Sequence, residues 1–382
     1  MKDNDTPRLS LLEKRHFLQL RRQFMKPVIG VTGYLGKTTL VDMLSTVLST
    51  RGKVLKTPYG RGTWNNNLKT LSRLSADYDY AIFEFDSYSG RNFAGLLRLI
   101  KPTIGVVTNI GDAHLSYLKD AMSLALQRSA MVKYLARDGK AVLNHDDDLS
   151  TALSRFITQA EIQRFGLNQA ADFFATEMEQ LGPDGLRFLL NIEREVHLPL
   201  YSVSDVYAFL ASCAVLTDLD FTIDEIVRIL RQSFKMPKGR GNLEKINGCF
   251  LLDESFPGSS RAVSKAARSL IGFKPHASQI IFIVGDMHGT GVNVEDRHLN
   301  MGHFLAALPF DHLITLGHYA KYIGDGSRLI PSAQRKVKHV ADVNELLGYL
   351  GTVLRPGSAI AVKGLGNVAF HRIRSTIENF KG

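Results

Sequence analysis

From Val28 onward, short apolar runs alternate with segments whose apolar residues recur at helical spacing. Short runs bounded by turn residues predict buried strands, and a 3.6-residue period predicts helices. An apolar run begins at Val28, and further strands are predicted at 81–85, 104–108, 140–143, 250–252, 279–284, 312–316 and 359–362. Helices are predicted at 40–48, 93–100, 121–136, 203–216, 223–234 and 260–270. Upstream, Leu11, Leu12, Phe17, Leu18, Leu20 and Phe24 share helical spacing before Pro27, so an N-terminal helix spans 9–24.

This βα rhythm predicts an α/β fold built on a mostly parallel, doubly wound sheet. The texture changes near 171–196 to shorter strand-like pieces, with Pro183-Asp184-Gly185 as a hairpin turn. Met236-Pro237-Lys238-Gly239-Arg240-Gly241 reads as a linker, and a second alternating unit follows it. Three divisions are expected: an N-terminal helical extension over 1–26, a central domain over 27–237, and a smaller Rossmann-like α/β domain over 238–382.

Composition narrows the class. Hydrophobic content of 45% and charged content of 22% in 382 residues are ordinary for globular chains. No run is long enough to span a membrane, and the polar start carries no signal-peptide core. The two cysteines, Cys213 and Cys249, provide no disulfide framework and no cysteine metal site, so a cytoplasmic protein is expected. The net charge of +10 suits acidic or phosphorylated ligands. Basic residues are scattered apart from Lys14, Arg15, Arg21, Arg22 and Lys26, with no zinc-finger or aromatic RNA-binding signature, so nucleic acid is not the expected partner.

The chemistry begins where the first apolar run ends, at Gly33-Tyr34-Leu35-Gly36-Lys37-Thr38-Thr39. Strand, glycine turn and helix in that order make a nucleotide phosphate site. Gly33 and Gly36 admit the anion close to the backbone, and helix-start N–H groups point at it. Lys37 reaches the β- and γ-phosphates, and a threonine hydroxyl ligates Mg²⁺. A strict P-loop has glycine five residues before Gly36, where this chain has Val31. In parallel α/β sheets ligands lie at strand carboxyl ends. Glu84 there is a candidate Mg²⁺ ligand, and His114, on the loop after the 104–108 strand, a candidate metal ligand or phosphoryl contact.

Taken in order, these motifs resemble the Mur ligase family of ATP-dependent amide-forming enzymes. The resemblance runs through Val31-Thr32-Gly33-x-x-Gly36-Lys37-Thr38-Thr39, Glu84, and Val107-Thr108-Asn109-Ile110-Gly111-x-Ala113-His114-Leu115. It continues through Ala141-Val142-Leu143-Asn144-x-Asp146-Asp147, Gly239-Arg240, Asp253-x-Ser255, Gly285-Asp286-Met287 with Gly291 and His298, and Lys363-Gly364. Spacing is most like the branch that adds D-alanyl-D-alanine to the UDP-muramoyl tripeptide. The resemblance implies a P-loop ATPase domain, a Rossmann-like ligase domain, and ATP and Mg²⁺ as cofactors. Gly33, Gly36, Lys37, Thr38, Thr39 and Asn109 would then meet the nucleotide, with Thr38, Glu84 and His114 toward metal. Arg240 would clamp phosphate, Asp253 or Glu254 would hold the ribose, and Asp286, His298 and Lys363 would bind substrate.

The chain also departs from that pattern. Arg128 stands where these ligases carry a carbamylated lysine that binds a second Mg²⁺, and arginine stays charged and makes no such carbamate. Arg128 is therefore expected to act on the acyl phosphate itself, beside Lys37 and His114. The family's His-Asn-x-x-Asn segment is replaced by Val203-Ser204-Asp205-Val206-Tyr207, so the adenine contacts differ. Only 26 residues precede the first strand, too few for a UDP-sugar domain, so a UDP-muramoyl substrate is not expected. The function read from the sequence is a ligase activating a small-molecule carboxylate as an acyl phosphate for attack by an amino-acid or peptide amine. The alternatives are phosphoryl transfer or ATP hydrolysis on the same fold, or a non-catalytic nucleotide-binding partner.

Overall fold

The computed structural model describes residues 9–58, 60, 62–86, 90–110, 121–157, 160–289 and 293–380. They fall into two compact units. The first comprises residues up to 177 with 188–196 and 204–234, and the second comprises 178–187, 197–203 and 235 onward.

The sheet built mainly from the first unit has strands β1 (Val28–Thr32), β2 (Val54–Lys56), β3 (Tyr80–Phe85), β4 (Ile104–Val107), β5 (Lys140–Asn144), β6 (Glu161–Gly166), β7 (Phe173–Gln180), β8 (Leu186–Leu190) and β9 (Arg194–Leu198). Their order is β2-β3-β1-β4-β5-β6-β7-β8-β9, and every pair from β2 to β7 is parallel. All residues of β1, β4 and β5 are buried, which is why they read as unbroken apolar runs and not as alternations. Strand order reverses about β1, which has β3 on one side and β4 on the other. Such a switch point leaves a crevice at the strand carboxyl ends.

Helices cover the faces of this sheet. Phe83, Phe85, Phe93, Leu97, Ile100, Met131 and Leu143 belong to one buried apolar cluster. The N-terminal helix, Leu11–Gln23, starts at a capping box in which Ser10 and Glu13 satisfy each other's backbone N–H groups. Leu9, Phe17 and Leu18 pack against the cluster. Arg21 then ties the helix down. Its Nε donates to the Ile100 carbonyl at 2.6 Å, Nη2 to Lys101 at 2.8 Å and Nη1 to Phe24 at 2.8 Å. Ile100 ends the helix Gly90–Ile100, so the guanidinium caps carbonyls that the helix itself leaves unpaired.

The second unit holds β10 (Asn242–Ile246), β11 (Cys249–Glu254), β12 (Gln279–Val284), β13 (His312–Leu316), β14 (Val337–Val340) and β15 (Ser358–Lys363). Their order is β10-β11-β15-β12-β13-β14, parallel except for the antiparallel edge strand β10. Its core is aliphatic, with Leu251, Ile281, Ile283, Ile314, Ile360 and Ile373 all buried. The helices Val294–Ala306 and Ala320–Arg328 touch through glycine. A methyl at Gly302 would collide with the Ile323 carbonyl oxygen, and one at Gly326 with that of Leu299.

Among the described residues, no helix is long and apolar enough to cross a membrane. The Arg21 anchor should be measurable. Arg21→Met is expected to lower unfolding stability by about 2 kcal/mol, because charged donors to three carbonyls are lost. Urea denaturation with an unchanged midpoint would contradict this.

Candidate functional site

The loop after β1 is shaped by residues at the end of β4. Gly33 has φ +146° and Gly36 φ +82°, both outside the range most side chains accept. A methyl at Gly33 would run into the Thr108 hydroxyl. That hydroxyl donates to the Leu35 carbonyl at 2.7 Å. Asn109 Oδ1 accepts the backbone N–H groups of Tyr34 and Leu35 at 3.0 and 3.1 Å. Asn109, expected to meet nucleotide, thus spends its side-chain oxygen on the loop backbone.

The helix Lys37–Leu48 follows directly. Lys37 Nζ donates to the Gly33 carbonyl at 3.0 Å and lies 3.3 Å from the Asp86 carboxylate. The Thr38 hydroxyl lies 3.1 and 3.2 Å from the two Glu84 carboxylate oxygens, and both residues are buried. Thr39 is buried beside them. Glu84 is held from behind. Its N–H donates to the Thr57 hydroxyl, and Asn67 Nδ2 donates to its carbonyl at 2.9 Å.

Arg128 is 1% exposed, on the helix Ala121–Lys133. Its Nη1 donates to the carbonyls of Asn109 and Ile110, both at 2.6 Å. Burial pulls its pKa down to about 10, while Asp147, Asp86 and Tyr34 act in the opposite sense, so the guanidinium stays charged at neutral pH. It is neither a surface ion-pair partner nor a solvent-facing cation. His114 and Gly291 lie outside the described residues. Asp147 accepts the Ile110 N–H at 2.8 Å and caps the helix Asp148–Ala152.

At the segment expected to differ around adenine, the Ser204 carbonyl lies 3.8 Å from where a Gly36 methyl would sit, so this helix start borders the phosphate loop. Asp205 is buried. Tyr207 donates to Asp146 at 2.7 Å, and burial followed by that bond raises its pKa.

In the second unit, Asp253 is committed to backbone. Its two oxygens accept the N–H groups of Gly239 and Ser255 at 2.8 and 3.0 Å. Arg240 stacks its guanidinium 4.0 Å from the centre of the Phe256 ring. Glu254 is buried between Lys265, at 3.4 Å, and Lys363, at 3.7 Å. Lys363 Nζ also donates to the Phe256 carbonyl at 2.9 Å.

Two expected substrate contacts have other work here. His298 is fully buried. Its Nε2 accepts the Met287 N–H at 2.9 Å, so Nδ1 carries the proton and donates to the Val294 carbonyl at 2.6 Å. Desolvation lowers its pKa and keeps it neutral. Asp286 Oδ1 accepts the N–H groups of Tyr319 and Ala320, at the start of the helix Ala320–Arg328. Both side chains organise the loop after β12, His298 from inside the fold and Asp286 from a half-buried position.

The residue that sequence reading passed over is Asp86. It lies two positions beyond Glu84, one residue past the end of β3.

A family model described as the Mur ligase middle domain matches residues 31–216. The UDP-N-acetylmuramoyl-tripeptide–D-alanyl-D-alanine ligase of Synechocystis is 28% identical over 363 residues, covering 94% of this chain and 76% of that protein. The Escherichia coli ligase of the same name is 27% identical over 395 residues, covering 99% and 84%. Among solved structures, MurF from Acinetobacter baumannii aligns with a TM-score of 0.85 at 24% identity, over 96% of this chain and 80% of that one. MurF ligase from Thermotoga maritima, solved in complex with ADP, aligns at 0.82 with 20% identity, over 99% and 86%. Over residues 31–216 this chain is thus similar to the Mur ligase middle domain, and over nearly its whole length to the Mur ligases named above.

The buried Lys363 yields a pH test. Desolvation brings its pKa from the ordinary lysine value of 10.5 to about 8. Between those values the unfolded chain binds the extra proton, so this lysine's contribution to stability rises with pH across that window. Relative to Lys363→Met, the native chain should gain stability between pH 7.5 and 9.5, by no more than about 1.4 kcal/mol per unit. A difference that is flat or falls with pH would contradict the burial argument.

Proposed function

We propose that this chain activates a carboxylate with ATP and joins it to the amine of an amino acid or short peptide. The carboxylate oxygen attacks the γ-phosphorus and ADP leaves. The amine nitrogen then attacks the acyl carbon, phosphate departs, and the nitrogen loses its proton. The observation that carries this reading is the Lys37–Thr38–Glu84 arrangement at a sheet switch point, in a chain similar to the Mur ligases named above.

Each residue has a role in the proposal. The N–H groups at 36–38 and the Lys37 ammonium neutralise the phosphates. Thr38 and Glu84 supply hard oxygen donors at one point, a fit for Mg²⁺, which when bound would spread the charge of the transferring phosphoryl group. No group of three His, Cys, Asp or Glu side chains poised for a metal occurs among the described residues. His114 is retained as a phosphoryl or metal contact. Arg128 supports the loop at Asn109 and Ile110. In the second unit, Arg240, Glu254 and Lys363 are the candidates to meet ligand, with Asp253, Asp286 and His298 holding their loops. The boundaries 1–26, 27–237 and 238–382 delimit helical extension, ATP-binding domain and ligase domain. Consumption of ATP favours a cytoplasmic setting.

For substrates, the relatives' names supply the first pair to try: a UDP-N-acetylmuramoyl tripeptide as acid and D-alanyl-D-alanine as amine. The expectation that a UDP-muramoyl acid is unsuitable finds no support in these relatives.

ADP release measured over a matrix of peptide acids and amino-acid or dipeptide amines tests the reading. Release should require both partners, and Lys37→Ala should abolish it while leaving the circular dichroism spectrum unchanged. Release that ignores the amine would favour hydrolysis or phosphoryl transfer. Substantial turnover by Lys37→Ala would remove the phosphate loop from the mechanism.

A further inference from the structure

Lys37 does not stand open to solvent. Its side chain is 13% exposed and that of Asp86 15%, and the two form a shielded ion pair at 3.3 Å. Lys37 also donates to the Gly33 carbonyl, so the ammonium is already served by one full and one partial negative charge. A nucleotide phosphate that takes Lys37 must compete with Asp86. Once Lys37 turns away, Asp86 remains as a second carboxylate two residues from Glu84, one residue past the end of β3. The buried Arg128 guanidinium lies within electrostatic reach of Asp86.

We propose that Asp86 is a positioning and selectivity residue of the nucleotide site: it holds Lys37 in place of phosphate, and its release makes nucleotide binding depend on a divalent cation. This rests on the nucleotide reading of the loop. A bare nucleotide brings negative charge toward a site that already holds two carboxylates, Glu84 and Asp86, and must also break the Lys37–Asp86 pair. A metal-bound nucleotide brings the cation that the freed carboxylate attracts, so the lost pair is offset. The residue therefore selects the metal complex over free nucleotide by repelling the wrong form as well as by attracting the right one.

The test is calorimetric titration of the full chain with ADP, once with excess Mg²⁺ and once with EDTA. Asp86→Asn removes the charge and keeps the shape. Its affinity for metal-free ADP should be roughly tenfold tighter than that of the native chain. Its gain from Mg²⁺ should shrink by a similar factor. Asp86→Glu keeps the charge and should retain most of the native metal dependence. A loss of packing alone would weaken both titrations equally, so the ratio of the two affinities separates selection from stability. A native chain that binds MgADP, with the same ratio in Asp86→Asn, overturns this inference alone. A native chain that binds no MgADP overturns the nucleotide reading and the inference together. If Asp86→Asn does not fold, a collapsed ratio in Asp86→Ser supports the proposal and an unchanged one overturns it.

Discussion

The phosphate loop depends on a contact made from outside it. Two consecutive N–H groups, Tyr34 and Leu35, end on one side-chain oxygen of Asn109, and the Leu35 carbonyl takes the Thr108 hydroxyl. A glycine-rich turn has many accessible conformations, and fixing each residue costs about 1–2 kcal/mol. The end of β4 selects one of them. The selection is itself supported, because Arg128 grips the carbonyls of Asn109 and Ile110 while Asp147 takes the Ile110 N–H. A buried guanidinium is expensive unless its donors are used, and two short bonds from Nη1 to carbonyls with two nearby carboxylates offset part of that cost. Helix, strand end and phosphate loop thus form one mechanical unit.

The second unit solves a similar problem by a different route. Gly239 and Gly241 have φ of +74° and +105°, and the Asp253 carboxylate pins the turn between them through the Gly239 N–H. Arg240 at the centre of that turn is held over the Phe256 ring. Next to it, Lys265, Lys363 and Glu254 bury two cations on one carboxylate. The arrangement costs desolvation energy and leaves a local excess of positive charge. Desolvation is the main cause of the depressed Lys363 pKa, with Lys265 and Arg240 adding to it, and the excess is the setting an anionic ligand group would find favourable.

Much of this was legible in the chain. The strands at 279–284 and 312–316 match their predicted bounds because both are apolar runs ended by glycine. The phosphate loop was recognisable despite Val31, since strand, glycines and lysine keep their order. Other elements left no such mark. The strand β2 has only three residues, and the helix Ala320–Arg328 contains Gly324 and Gly326, which propensity counts against a helix. Gly326 answers to a neighbouring helix and Gly324 faces Thr315 on β13, tertiary demands with no local signature. The same holds for His298, Asp286 and Asn109. Residue type and position suggested ligands, and backbone groups hold their polar atoms in the fold. Asp86 went unread for the converse reason: its meaning lies in the distance to Lys37, which no spacing along the chain encodes.

If the end of β4 shapes the phosphate loop, then Asn109 should matter to nucleotide it need not touch. The direct measurement is MgADP affinity of Asn109→Ala by calorimetry, alongside its thermal midpoint. Loss of the shared acceptor should weaken MgADP at least about tenfold through a disordered loop, with only a small fall in the midpoint. Native affinity in Asn109→Ala would show that the loop holds its shape unaided, and would contradict the account.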